Sequence, residues 1–482
     1  MSDNAAALSA KAANLYRGGR LADACDIYAR LLATDADRPN DWLNYGLLLR
    51  QQAKPRQALE AYDKALEHGT AHAEEIHVNK AVIYVDDLGD PAKALSALEA
   101  ALAIDPYYVP ALLNLGNLHE DGGRSSDARE AYSRALSADP GSPLALTRLA
   151  EVTRFDDAGH PLIEQLRVGL ASHDLSPLDR ADLGFALGRA LDQAQAYSDA
   201  FSAYEEANAA SRALAKSPYS LSGAEKFITA IIEAFPRRTG SDGAGSAAPI
   251  FICGMFRSGS TLVERILAAH SLLTAGGELP ILPSLVRSEL QPYPASIGSS
   301  GEKTFARLRT QYCDRVADMG LPLWGLTDKR PDNILHVGLI KRMFPDAKIV
   351  LTHRDPMDNC LSVFFAHLSP EMAYASTLES AAHWYLQQER LARHWQDLFP
   401  EDVHIADYDA LVADPEPTIR SLLKFLDLPW EDACLSPHAI GGQVRTASAW
   451  QVREPVHTRS SGRWRNYANQ IEPLRKAMDI EV

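Results

Sequence analysis

Cysteine is scarce in this sequence. There are five in 482 residues, at positions 25, 253, 313, 360 and 434, and no two stand at the short spacing of a metal or redox pair. That excludes a disulfide framework and leads us to expect reduced thiols in a cytosol. Long hydrophobic runs are also missing: none approaches the roughly 18 to 20 apolar residues that span a bilayer. The opening MSDNAAALSAKAANLY lacks the basic stretch and apolar core of a secretory signal, and neither end carries a lipidation motif. A cytoplasmic protein without membrane attachment is the expectation. Positive charge is in deficit, with 48 Lys and Arg against 63 Asp and Glu and a net charge of -15. That balance argues against general nucleic-acid binding.

The deficit is uneven. Residues 1–235 hold 22 basic and 34 acidic side chains, whereas 236–482 hold 26 and 29, and the stretch 440–476 has seven Lys or Arg against two Glu. A local basic stretch in an acidic chain suits one anionic ligand. At this length the chain is expected to hold more than one domain.

The first half repeats. ADACDIYARLLA from Ala22, RQALEAYDKALE from Arg56, AKALSALEAALA from Ala92 and SDAREAYSRALS from Ser126 align. Ala24, Ala58, Ala94 and Ala128 recur at steps of 34, 36 and 34, and Tyr28, Tyr62, Leu98 and Tyr132 keep the same steps. A period near 34 with small and bulky residues in fixed phase resembles the tetratricopeptide repeat. Alanine lets paired helices approach, the bulky residue fills the gap to the next hairpin, and one hairpin alone cannot bury its apolar face. A further hairpin is read around Leu183-Gly184 and Tyr197–Ala207, so the repeat domain is placed over residues 1–235. Such arrays offer a concave surface to a peptide or partner protein.

Residues 236–248, rich in Gly, Ser and Ala, read as a linker. Beyond it the period changes. The runs 249–255, 323–329, 347–354 and 402–408 are strand-sized and separated by helix-sized stretches, which predicts βαβ units around a central parallel sheet over 249–482. In such sheets ligands sit beyond the carboxyl ends of the strands.

PIFICGMFRSGSTLVER, residues 249–265, falls at such a place. Its strand–glycine–helix order and G-x-x-x-x-G spacing outline a P-loop, whose helix-start N–H groups favour an anion. The lysine that follows the second glycine in an NTPase is missing; Ser260 stands there, and Arg257 sits inside the loop. That disfavours a magnesium triphosphate and favours a phosphate or sulfate held by a planar guanidinium.

The loop GMFRSGSTLVERIL resembles the 5′-phosphosulfate loop of sulfotransferases that use 3′-phosphoadenosine 5′-phosphosulfate (PAPS), and most of all the protein-tyrosine sulfotransferase branch. Combined with the helical repeats, it resembles the tetratricopeptide-repeat sulfotransferases. The resemblance implies an N-terminal all-α solenoid joined to a C-terminal α/β P-loop-type domain. It implies PAPS as co-substrate, no metal, and sulfuryl transfer to an acceptor hydroxyl, a protein or peptide tyrosine held by the repeats being one candidate. It places Arg257, Ser258, Gly259, Ser260 and Thr261 at the phosphosulfate. In AKIVLTHRDPMDNCLSVFF it places Arg354 and Ser362 at the 3′-phosphate. Glu278 takes the general-base position, Lys329 the lysine that stabilises the bridging oxygen, Tyr408 a position near the nucleotide, Ser448 the sulfonate side, and Arg463 the place of a lysine near the 3′-phosphate. Two family arginines are replaced, by Pro280 and Ala366, with His367 beside the second.

Bland readings stand beside these. Glu278 also fits a helix start, Arg330 neighbours Lys329 as the alternative cation, Tyr408 also fits packing on the sheet, and Arg354 with Asp355 also fits a surface pair. Two rival functions are carried: a tetratricopeptide adaptor with a nucleotide-binding, inactive C-terminal domain, and a P-loop nucleotide kinase or NTPase.

Overall fold

The computed structural model describes residues 2–236, 247–439 and 455–479. The chain divides into two compact units, Met1–Arg154 and Phe155–Val482.

The first unit is built of helical hairpins. Pro39–Gln51 pairs with Pro55–Glu67, Ala73–Val82 with Pro91–Ile104, and Val109–Asp121 with Ser125–Ala138. Proline opens several of these helices, where its missing N–H has no intrahelical partner to lose. The recurring alanines 24, 58, 94 and 128 are 0% exposed, and Tyr28, Tyr62, Leu98 and Tyr132 at most 1%. The columns legible in the sequence are thus the seams of the array.

Gly116 shows how tight those seams are. A Cβ there would lie 2.2 Å from the Tyr132 ring, whose hydroxyl donates to Asn117 Oδ1 at 2.7 Å and Glu120 Oε2 at 3.0 Å. Gly116→Ala is expected to destabilise the array. Overpacking costs about 1–3 kcal/mol, which outweighs the roughly 1 kcal/mol of helix propensity that alanine gains. A urea unfolding midpoint equal to wild type would contradict this.

The second unit begins with a helix at Pro161–Leu170, followed by α1 (Pro177–Gln193), α2 (Tyr197–Leu214) and α3 (Leu221–Ala234). A boundary at 235 is expected from the sequence, but the division falls at 154/155, because these helices pack on the α/β part. Phe201 meets Phe364 at 5.6 Å, Tyr204 stacks on Phe365 at 4.0 Å, and Asn208 Nδ2 donates to Phe364 O at 2.8 Å. Phe235 packs on Trp395. The apolar face that another hairpin would cover is covered here by the sheet domain. Of the expected linker 236–248, residues 237–246 lie outside the described residues.

The sheet has five parallel strands: β1 (Ile250–Gly254), β2 (Thr274–Ala275), β3 (Leu326–Lys329), β4 (Ile349–His353) and β5 (Val403–Asp407). Their order is β2-β3-β1-β4-β5. Two residues of β2 are too few for a periodic signal, so the sequence did not reveal it. Phe251 and Cys253 feed one buried cluster and Ile252 another, on the opposite face, so both faces are covered and the strands read as continuous apolar runs. From β1 the chain moves first to one side of the sheet and then, at β4, to the other. The crevice at the carboxyl ends of β1 and β4 is therefore the switch point. Helix α4 (Ser260–Ala268) follows β1, α5 (Pro356–Phe364) follows β4, and α6 (Leu378–Leu398) packs against α5.

Candidate functional site

The turn after β1 is made by close backbone approach. Gly254 lies against Thr352 of β4, where a Cβ would fall 2.5 Å from the carbonyl oxygen. Ser258 directs both its N–H, at 3.2 Å, and its hydroxyl, at 2.6 Å, to Met255 O, and its Oγ also lies 2.6 Å from Thr352 Oγ1. Its side chain closes the turn and does not face the crevice, which differs from the anion-binding place the resemblance gives it. Gly259, at φ 100°, precedes α4, and a Cβ there would meet the Tyr408 ring at 2.5 Å. Ser260 and Thr261 open α4 and are buried, so the first-turn N–H groups of that helix point back toward the loop.

Arg257 has φ 68°, a left-handed conformation unusual for a long side chain and costing of order 1–3 kcal/mol. The conformation carries its guanidinium across to α5, where Nε donates to Ser362 Oγ at 3.2 Å. Arg354, leaving β4, donates from Nη1 to Arg257 O at 3.1 Å and from Nη2 to Ser460 O. Its guanidinium lies 4.9 Å from the Tyr408 ring centre, and its buried Nε has no partner among the described residues. Arg257, Arg354, Ser362 and Tyr408 thus meet at one corner. Burial, then the charges of Arg354 and Arg463, lower the Arg257 guanidinium to about 10. Like charges gathered in a desolvated corner favour an anion there.

A second cluster lies at the end of β3. Lys329 is fully buried, and its Nζ donates to Glu278 Oε1 at 2.5 Å. Arg330, the alternative cation, turns to Asp332 through two bonds of 2.9 and 3.0 Å. Glu264, on the helix that follows the loop, connects this cluster to the arginine corner. It accepts from Gly277 N at 2.9 Å and Thr327 Oγ1 at 3.2 Å. Burial raises its carboxyl, with Lys329 opposing the shift. The sequence reading missed Glu264; its only signal was an acid inside the apolar run TLVERIL.

Asp358 and Asp409 were missed as well. Asp358 accepts from Gly462 N and from Trp464 N at 2.8 Å, and Asp409 accepts from Asp355 N at 2.7 Å and Ser461 Oγ at 2.6 Å. Together they fasten the late segment around Arg463 over the crevice. Arg463 itself pairs with Asp192 at 2.6 Å. Ser448 lies outside the described residues. His367 does not stand in for an arginine at the crevice: it pairs with Asp182 at 2.9 Å and stacks on Phe185. Pro280 directly precedes the helix Ile281–Glu289.

Asp328, next to Lys329, is buried and accepts from the Tyr312 hydroxyl at 2.7 Å and Asn333 Nδ2 at 3.3 Å. Burial lifts its carboxyl to about 7. The folded chain holds this proton between roughly pH 4 and 7, where the unfolded chain has released it. Stability therefore falls as pH rises through that window, and the loss is complete above about pH 7. Asp328→Asn is expected to flatten the decline, because an amide does not titrate; the buried Asn333 Oδ1, without a partner among the described residues, becomes its acceptor when that amide turns over. Unfolding midpoints at pH 5 and 8 that separate as widely in the variant as in wild type would contradict this.

Among the described residues no helix is long and apolar enough to cross a membrane. Residues 249–432 match the sulfotransferase family, and residues 43–109 and 87–152 match tetratricopeptide repeats. An uncharacterized protein of Aquifex aeolicus is 30% identical over 401 residues, covering 79% of this chain and 52% of the relative. The protein-tyrosine sulfotransferase of Drosophila melanogaster is 26% identical over 231 residues, 45% of this chain and 46% of that protein. Protein-tyrosine sulfotransferase 1 of Danio rerio is 25% identical over 238 residues, 45% of this chain and 65% of that protein. The chain spans about half the length of the first two of these relatives.

Proposed function

Given a sulfotransferase-family domain that follows tetratricopeptide repeats in one chain, we propose that the protein moves the sulfuryl group of PAPS to an acceptor hydroxyl. The observation that carries this reading is the corner where the Arg257 guanidinium meets Ser362 and the Arg354 guanidinium bonds the Arg257 carbonyl, within electrostatic reach of Arg463, beside the Glu278–Lys329 pair. The Arg354 Nε, without a partner among the described residues, fits a bound phosphate oxygen.

PAPS supplies the activated sulfuryl group. Arg257 and the first N–H groups of α4 hold the 5′-phosphosulfate, and Arg354, Ser362 and Arg463 hold the 3′-phosphate. Tyr408 stacks under Arg354 and lines the corner. Glu278 takes the proton of the acceptor hydroxyl as its oxygen bonds to sulfur. Lys329 stabilises the charge left on the bridging oxygen as the sulfur–oxygen bond to the 5′-phosphate breaks and adenosine 3′,5′-bisphosphate departs. Charge neutralisation by arginine, lysine and backbone N–H groups requires no metal. Ser448 belongs to this set through its resemblance alone.

The repeats favour a protein or peptide acceptor, in keeping with the protein-tyrosine sulfotransferases among the relatives. Five unpaired cysteines fit a cytosolic location. The test is incubation of the full chain with labelled PAPS and a panel of peptide, phenol and carbohydrate hydroxyls, with mass detection of the added sulfonate. Transfer to at least one class is expected. Failure to bind PAPS or its bisphosphate product would overturn the reading, and tight binding with no transfer to any acceptor would favour the adaptor.

A further inference from the structure

The hairpin α1–α2 belongs by sequence to the helical first half, yet it touches the late segment at Arg463. The Arg463 backbone is fastened from one side: the N–H groups that flank it, of Gly462 and Trp464, both bond Asp358 of α5. Its side chain is fastened from the other. The guanidinium pairs with Asp192 Oδ2 at 2.6 Å and lies 5.3 Å from the Phe365 ring centre. Asp192, near the end of α1, also accepts from the Tyr467 hydroxyl. Tyr204 of α2 stacks on Phe365 at 4.0 Å and completes the wall. Burial opposes the charge on Arg463 and Asp192 sustains it, while Ser460, three residues earlier in the same segment, accepts from Arg354, so the segment that carries Arg463 reaches from the hairpin carboxylate to the arginine corner.

We infer that Asp192 is a positioning residue, acting through Arg463 to give the crevice its preference for a nucleotide carrying a 3′-phosphate. A flexible arginine stem loses rotamer freedom when it binds a phosphate. A carboxylate that fixes one edge of the guanidinium meets that cost on folding and leaves the other edge aimed at the ligand. The inference rests on the nucleotide reading above, and it assigns the 155–235 helices a part in ligand discrimination that the sequence places among partner-binding repeats.

The test compares adenosine 3′,5′-bisphosphate with adenosine 5′-monophosphate by calorimetry on the full chain, in wild type, Asp192→Asn, Arg463→Gln and the double variant. Wild type is expected to prefer the bisphosphate. Asp192→Asn is expected to reduce that preference at least tenfold while the 5′-monophosphate affinity stays within about twofold, and to add nothing in the Arg463→Gln background. A purely structural role would weaken both nucleotides together. An unchanged or increased preference in Asp192→Asn, or equal losses for both ligands, would overturn the inference. If Asp192→Asn fails to fold, the double variant removes both charges of the pair and is compared with Arg463→Gln alone: an added loss of preference overturns the inference, and equality supports it. A wild type that binds neither nucleotide would instead overturn the functional reading itself.

Discussion

Arg257→Ala is expected to lower kcat/KM for PAPS by about 10²–10³, the usual loss when a preorganised donor at the reacting charge is removed. The guanidinium reaches from the loop across to Ser362 of α5. The Arg257 carbonyl is itself an acceptor for Arg354, so alanine keeps the loop's backbone contact and removes the charge together with the bond to Ser362. Arg257→Lys should recover part of the loss and no more, because an ammonium cannot reproduce the planar fork. Steady-state kinetics with PAPS as the varied substrate decides this. A loss of less than threefold in the alanine variant would remove Arg257 from the reaction.

Glu278→Gln is expected to lower kcat by about 10²–10⁴, the range for a positioned general base, while bisphosphate affinity stays within about twofold. The separation follows from placement: Glu278 meets Lys329 at the end of β3, whereas the arginine corner lies between β1 and β4. The amide retains the shape and a hydrogen-bond acceptor for Lys329 but cannot take a proton. If kcat and bisphosphate affinity fall together, Glu278 is holding the site's structure and Lys329 in place, and the base must be sought elsewhere. The buried neighbour Glu264, bonded to Gly277 N, is the next carboxylate to test.

Much of this was legible from the chain alone. The repeat columns, the strand–glycine–helix corner and the order of the later motifs depend on contiguous residues, and local geometry acts on contiguous residues. Four of the five strands fell where apolar runs predicted them; the missing one is two residues long. Resemblance brought Arg257, Glu278, Lys329, Arg354 and Ser362 together as names. It did not indicate that the Ser258 hydroxyl turns inward, that His367 leaves the crevice for Asp182, or that Glu264, Asp358 and Asp192 support the residues around the site.

The sequence by itself therefore determined most of the elements and the strand–glycine–helix corner, because turns, helix starts and apolar periods are set within a few residues of one another. Only the tertiary structure decided who partners whom. Arg257 and Ser362 are 105 residues apart, Lys329 and Glu278 51, and Tyr467 and Asp192 275. A side chain's partner at such separation is fixed by packing, as when the Phe201 and Tyr204 face of a hairpin finds the aromatic end of α5. No local rule in the chain carries that information.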